Sequence, residues 1–200
     1  GCVALAQAQV LYYFRHPNQG DSSISYYNFP LQDTISVDFG NTTYDWNEMV
    51  NYIYGMPNHS TAELIFHSGA SINTYYRPEG SGSSTWYCEN ALKTYFRYDT
   101  SVVFYERSDT SINWKEVLVE NLSNLQPVIY KGGAWPAHSF VCDGFQDTSY
   151  FHFNFGFWNG SGNGYYMIDD ITPFHYNFSS QQAGVFNIFP AGDYPNYASS

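Results

Sequence analysis

The first seventeen residues, GCVALAQAQVLYYFRHP, restrict the fold more than any other stretch. Between Val3 and Phe14 the only plainly polar side chains are Gln7 and Gln9. Ala4, Ala8 and Leu11 form one apolar row at helical spacing and Val3, Val10 and Phe14 form another, which predicts a helix with no charged stripe to offer water. Such a helix must be buried on most of its circumference, so other elements have to pack around it. His16-Pro17 followed by Gly20 predicts its end, because proline brings no amide hydrogen. Gly1 and Cys2 stand at its start. A thiol there feels the positive end of the helix dipole, which favours the thiolate, the form that attacks carbon. Most cysteines are inert core residues, so Cys2 needs a positioned base elsewhere before it counts as a nucleophile.

The rest of the composition narrows the function classes. A chain of 200 residues suffices for one domain, and with 20% aromatic residues a sizeable core is available. The net charge is −11 with only seven Lys and Arg, which argues against nucleic acid and against an anionic membrane surface as partners. No apolar run approaches a membrane span and no signal peptide is recognisable. A chain that opens on Gly-Cys reads as a processed or trimmed piece lacking its N-terminal portion. Three cysteines make no disulfide framework, and neither Cys-x-x-Cys nor His-x-x-x-His spacing suggests a metal; no cofactor is expected. Cys88, in a helical row with Leu92 and Phe96, and Cys142, in a strand, read as core; if they meet they could pair.

In chain order, Gln19–Thr43 is turn-rich and predicts loop with one short strand. Tyr44–Tyr54 predicts a short helix with Trp46, Met49, Val50 and Ile53 on one side. Ser60-Thr61-Ala62-Glu63 has the form of a capping box, opening a helix over 61–68 that Gly69 ends. A strand is expected over 70–76, then the loop Gly80-Ser81-Gly82-Ser83-Ser84, then a helix over 85–98. A loop with such glycines suits close approach of backbone to a ligand, although a plain helix lead-in fits as well. Trp114, Val117, Leu118, Leu122 and Leu125 predict a helix that Pro127 stops. Short alternating segments follow, at 128–130, 138–143, 150–155, 165–168 and 184–189, read as strands. The prediction is an α+β protein with a helical part over about 1–125 and a β-rich part over about 126–200, two lobes meeting at a cleft within a single domain.

The candidate base lies in the β-rich part. His138–Asp143 and Tyr150–Asn154 have the form of a hairpin whose turn is marked by Asp143-Gly144 and Asp147. With the turn centred near Gln146, His138 faces Asn154, within reach of a hydrogen bond that would fix the tautomer of the ring. That is the orienting arrangement a nucleophile–base pair requires. Among the other histidines, His16 and His59 sit in polar turns and His175 in a loop, His67 ends a helix, and His152 faces Phe140 as a packed strand residue. Asp169-Asp170 points two carboxylates to opposite sides, and nothing singles out a catalytic pair of acids.

With Cys2, His138 and Asn154 in place, the chain resembles the streptopain family of bacterial papain-like cysteine peptidases. The likeness is carried by GCVALAQAQVLYYFRHPNQG, YDWNEM, AELIFHSGASINTYY, GSGSSTWYCENALKTYF, NWKEVLVENLSNLQPVIY, HSFVCDGF and YFHFNFGF, in that order, closing with Gly164-Tyr165-Tyr166 and Phe189-Pro190. The resemblance implies a papain-like fold, with Cys2 as nucleophile on the central helix of one lobe, His138 as base on the β-rich lobe and Asn154 as orienting residue. It implies that the Gly80–Ser84 loop holds substrate backbone, with Ser81 foremost and Gly82 beside it. Three departures stand out. Phe155 replaces the tryptophan that follows the asparagine, so it would cover the His–Asn hydrogen bond with an apolar face but no indole N–H. Ala137 replaces the glycine before the histidine, which alters the substrate-facing edge of the cleft. The family draws one oxyanion donor from a glutamine upstream of the cysteine, which leaves the Cys2 amide as the donor in view.

The expected function is endopeptidase acyl transfer on protein or peptide substrates, with an inhibitory pro-segment in the parent chain and secretion or a periplasmic location, the last two by resemblance. Two rivals stand beside it. One is a family member that binds peptides without cutting them, motivated by Phe155 and Ala137. The other, much weaker, is a carbohydrate-binding module suggested by the abundance of Tyr and Trp.

Overall fold

The computed structural model describes residues 1–52, 55–134 and 137–192. The opening segment is helix α1 (Cys2–Phe14), ended by Arg15 in the left-handed conformation with its N–H on the carbonyls of Leu11 and Tyr12. Val3, Ala4, Ala6, Gln7, Ala8, Val10 and Leu11 are all buried. Burying an amide requires partners, and Gln7 Nε2 donates to Ser71 Oγ at 2.9 Å. That hydrogen bond ties α1 to helix α2 (His59–Ser71).

The elements that follow are β1 (Ser23–Asn28), β2 (Asp33–Asp38), α2, α3 (Tyr87–Tyr95), β3 (Val103–Glu106), α4 (Trp114–Ser123), β4 (Val128–Gly132), β5 (His138–Gln146), β6 (Tyr150–Asn154), β7 (Gly164–Tyr166) and β8 (Ala183–Phe186). β1 and β2 form a separate antiparallel pair; the other six build one sheet in the order β3-β8-β4-β5-β6-β7. Side chains alternate between its faces. Ile129, Val141 and Val185 join α1, α2 and α3 in one core, while Val128, Tyr130, Phe140, Cys142, Phe153 and Phe186 join α4 in a second. The sheet is therefore covered by α1 on one side and α4 on the other. The edge strand β3 belongs to the first part of the sequence but pairs with β8 from the last.

Several local expectations are corrected. The 19–43 stretch holds two strands; they do alternate, as Ser23-Ile24-Ser25-Tyr26 and Thr34-Ile35-Ser36-Val37, but each run is short and the turn residues around them dominate the pattern. No helix forms over the described residues of 44–54; Tyr44, Trp46 and Met49 are buried from turns, with Asp45 Oδ1 accepting from the Asn47 amide, while Ile53 and Tyr54 lie outside the described residues. Asn58, not Ser60, caps α2, its Oδ1 accepting from the Thr61 amide at 2.7 Å. Gly69 does not end that helix but lies inside it, where its bare Cα leaves room for the Tyr76 hydroxyl. In place of a strand over 70–76 there is a single bridge between Tyr75 and Gly82. Cys88 and Cys142 are both fully buried and free, in different cores, so they do not pair.

Candidate active site

The half-buried Cys2 is the first residue of α1, and α1 packs on β5, the strand that begins with His138. The Cys2 thiol lies beside the His138 side chain and the Ser139 backbone amide, both of which favour its thiolate. Burial pushes that thiol up, but the neighbouring His138 side chain, the Ser139 amide, the His138 charge and the N-terminal amino group together outweigh it and hold Cys2 below its ordinary value. Burial drives the other two cysteines the opposite way, holding both thiols well above their ordinary range. Of the three, Cys2 alone sits where a thiolate is stabilised.

The partner that orients His138 is a main-chain group. Nε2 of the ring lies 2.8 Å from the Phe155 carbonyl. A carbonyl oxygen can only accept, so Nε2 carries a proton and Nδ1 is the nitrogen left to face the thiol. The ring lies nearly parallel to that of Phe157, with centroids 4.9 Å apart and planes at 16°, and it also touches Phe178 and Phe140.

This corrects the expected hairpin register. Gln146 pairs with Tyr150 and Gly144 with His152, and a bulge at Asp143 then shifts the ladder so that Asn154 faces Val141, three residues beyond His138. Asn154 Oδ1 is occupied instead by N–H donors from Gly156 (3.1 Å), Asn163 (3.2 Å) and Gln9 (3.4 Å). Phe155 is 1% exposed and packs its ring among Phe140, Phe153 and Phe178, so the ring stacked on His138 is that of Phe157. Sequence reasoning missed Phe157 and the Phe155 carbonyl. The first stands two residues along from Phe155 and could have been found by alternation; the second leaves no mark on side-chain identity.

The same bulge redirects His152. It faces Gly144, not Phe140, and its Nδ1 meets Asp143 Oδ1 at 2.5 Å. His67 does not end its helix; it is buried within α2 with Nδ1 3.0 Å from the Tyr44 hydroxyl, and burial lowers its proton affinity. His16 is half-buried, with Nε2 on the Arg97 carbonyl at 3.0 Å.

The Gly80–Ser84 loop reaches the cysteine end of α1: a Cβ placed on Gly1 would stand 3.1 Å from the Ser81 carbonyl oxygen. Gly82 uses its N–H and its C=O on Tyr75, at 3.2 and 2.9 Å. Ser83 Oγ donates to the Ile72 carbonyl. Thr85 Oγ1 meets Ser139 Oγ at 2.7 Å, a buried link between the lead-in to α3 and the strand beside the thiol. Ala137 is exposed immediately before His138. A cavity of about 780 Å³ opens along α1, walled by Leu5, Tyr12, Asn154, Phe157 and Trp158; it reaches the pair through Phe157 and does not include Cys2 or His138. Among the described residues no group of three or more His, Cys, Asp or Glu could hold a metal ion, and no helix is long and apolar enough to cross a membrane.

The model of the peptidase C10 family matches residues 1–166. The chain belongs to the peptidase C10 family. It is 31% identical over 187 residues to streptopain of Streptococcus pyogenes serotype M28, covering 86% of this chain and 46% of that protein. It is 32% identical over 181 residues to the thiol protease/hemagglutinin PrtT of Porphyromonas gingivalis, covering 86% of this chain and 21% of that one. The chain thus spans less than half the length of these curated relatives. Among solved structures, active interpain A cysteine protease of Prevotella intermedia superposes with a TM-score of 0.83 at 37% identity, covering 92% of this chain and 81% of that chain. A prointerpain A fragment from the same organism gives a TM-score of 0.80 at 33% identity, over 96% of this chain and 64% of that one. The fold of this C10 chain is the papain-like α+β fold, with the cysteine on the helical side and the histidine on the antiparallel sheet, and its family is one of cysteine peptidases.

Proposed function

We propose that this chain is the catalytic domain of a cysteine endopeptidase, with Cys2 as nucleophile and His138 as its acid–base partner. The observation that carries the reading is that the Cys2 thiol lies beside, and is made more acidic by, a histidine whose Nε2 is fixed on the Phe155 carbonyl at 2.8 Å. A proton moved from sulfur to Nδ1 gives a thiolate beside an imidazolium, each stabilising the other. The thiolate attacks the scissile carbonyl carbon, and the Cys2 amide, at the N-terminus of α1, faces the oxygen as it gains charge. His138 returns its proton to the leaving amine nitrogen, which leaves a thioester on Cys2. A water then gives a proton to His138 and its oxygen to the acyl carbon, releasing acid and thiol. The chemistry needs no cofactor.

Substrate is read as polypeptide in extended form, lying past Ser81 with Ala137 at the opposite lip. Because Gly82 already pairs with Tyr75, its contribution is a wall, and Ser81 is the residue left to meet substrate backbone. The parent protein is read as exported and made with an inhibitory pro-segment. Support comes from the similarity to a structure of a pro-form, prointerpain A.

Iodoacetamide labelling across pH tests the reading, scored by peptide mapping alongside cleavage of unfolded casein. Selective alkylation of Cys2 well below pH 8, moving upward in His138→Ala together with a loss of cleavage of about a hundredfold or more, is the expected result. Cys2 labelled no faster at pH 6 than a free thiol of ordinary acidity, with no cleavage, would instead identify a domain that binds peptides without cutting them.

A further inference from the structure

The carbonyl that orients His138 is one half of the Phe155–Gly156 peptide group, and the other half is held. In a trans peptide the C=O and the following N–H point in opposite directions. The Phe155 carbonyl accepts from His138 Nε2 at 2.8 Å, and on the far side of the same plane the Gly156 N–H donates to Asn154 Oδ1 at 3.1 Å. Asn154 is in turn held by Asn163, whose Nδ2 donates to that same oxygen at 3.2 Å. Asn163 also reaches the preceding peptide, its Oδ1 accepting from the Phe155 N–H at 2.9 Å.

The orientation of both amides is forced. Two backbone N–H groups, which can only donate, face Asn154 Oδ1 and Asn163 Oδ1, so those atoms are oxygens, and Asn163 must then present its nitrogen to Asn154. Both peptide planes flanking Phe155 are thus fixed from one side by a single side chain and its neighbour. Gly156 has φ +67°, a conformation that leaves this peptide without helix or strand pairing to hold it. With Asn163 removed, the Phe155 N–H would lose its acceptor and the plane could turn about the Phe155 and Gly156 bonds.

We propose that Asn163 is a positioning residue for the peptidase reaction: through Asn154 and the Phe155–Gly156 peptide it fixes the direction in which the Phe155 carbonyl meets His138, and so keeps Nδ1 aimed at Cys2. The proposal rests on the Cys2–His138 reading above. It assigns Asn154 an indirect part, acting on His138 through a peptide plane instead of touching the ring.

Asn163→Ala and Asn163→Asp separate this from a general loss of structure. Aspartate keeps an acceptor for the Phe155 N–H but sets an oxygen where Nδ2 met Asn154 Oδ1; alanine keeps neither contact. Activity is referred to intact sites counted by stoichiometric alkylation of Cys2, so that a smaller folded fraction cancels. The expected result for Asn163→Ala is a kcat lower by roughly ten- to a hundredfold with KM within about threefold, because the ring is misdirected while the substrate cleft is untouched. The pH at which Cys2 alkylation is half-maximal should also move upward, and Asn163→Asp, which keeps the Phe155 contact but loses the one to Asn154, should share both defects. An Asn163→Ala enzyme with wild-type kcat per site and an unshifted alkylation profile overturns the proposal, as does an aspartate variant with wild-type kcat and profile, which would show that the contact with Asn154 carries nothing. If wild-type Cys2 itself lacks low-pH alkylation, the peptidase reading has failed, and that outcome is read from the unmutated protein alone.

Discussion

His138 gives its Nε2 proton to the backbone carbonyl of Phe155, at 2.8 Å, and to no side chain. A main-chain acceptor cannot be removed by substitution at its own position, but it can be turned by its neighbour. Gly156 follows it with φ +67°, and a Cβ there would approach Leu5 Cδ2 to 2.8 Å. Gly156→Ala therefore strains the backbone and presses on α1 at once. The expected cost is about 1–2 kcal/mol of stability by denaturant titration, with kcat lower by roughly tenfold. Adding Leu5→Ala should relieve the contact but not the strain, so a double variant restored fully to wild-type kcat would show that backbone conformation is immaterial there.

Much of the fold was legible because α1 announces itself. An apolar run without a charged stripe can only be a central helix, and the strands of the last third carry β-branched and aromatic alternation. The β1–β2 pair alternates only over four or five residues between turn residues, which is why that stretch reads as loop with a single short strand. Of the candidate site, Cys2 and His138, which the fold brings side by side, were legible, and the contacts around them were not. The hairpin register depended on a loop length that a one-residue bulge at Asp143 overrides, and with it went the direct His138–Asn154 contact. What replaces that contact is a carbonyl and two amide side chains. Asn163 follows Gly162 in a turn, where an asparagine reads as ordinary turn chemistry.

His67 makes part of the stability pH-dependent. It is buried in α2 against the Tyr44 hydroxyl, and burial holds its proton affinity below that of an exposed histidine. Below about pH 6.5 the unfolded chain therefore binds a proton at this position that the folded chain resists, and stability falls as pH drops from there towards the lower folded value. Above that range both states are neutral and the effect vanishes. His67→Gln keeps a polar partner for Tyr44 without titrating. Urea midpoints measured from pH 8 to pH 5 should fall more steeply for the wild type than for His67→Gln, and parallel curves would mean that His67 is not the group responsible.

Thr85 and Ser139 form a buried hydroxyl pair, 4% and 3% exposed and 2.7 Å apart, joining the lead-in of α3 to the strand whose amide meets Cys2. Removing one hydroxyl leaves the other buried without its partner, which costs more than removing both. Thr85→Val and Ser139→Ala should each lower stability by about 1–3 kcal/mol, and the double variant by clearly less than their sum. A double-mutant cycle in urea measures the coupling. Because Ser139 contributes its backbone N–H to the thiol and not its hydroxyl, the Ser139→Ala variant should keep the low-pH alkylation of Cys2 even as it loses stability. Strict additivity of the two substitutions would show that the hydroxyls do not depend on one another. An alkylation profile moved upward in Ser139→Ala would show that the hydroxyl, beyond joining the two elements, sets where the strand holds its amide.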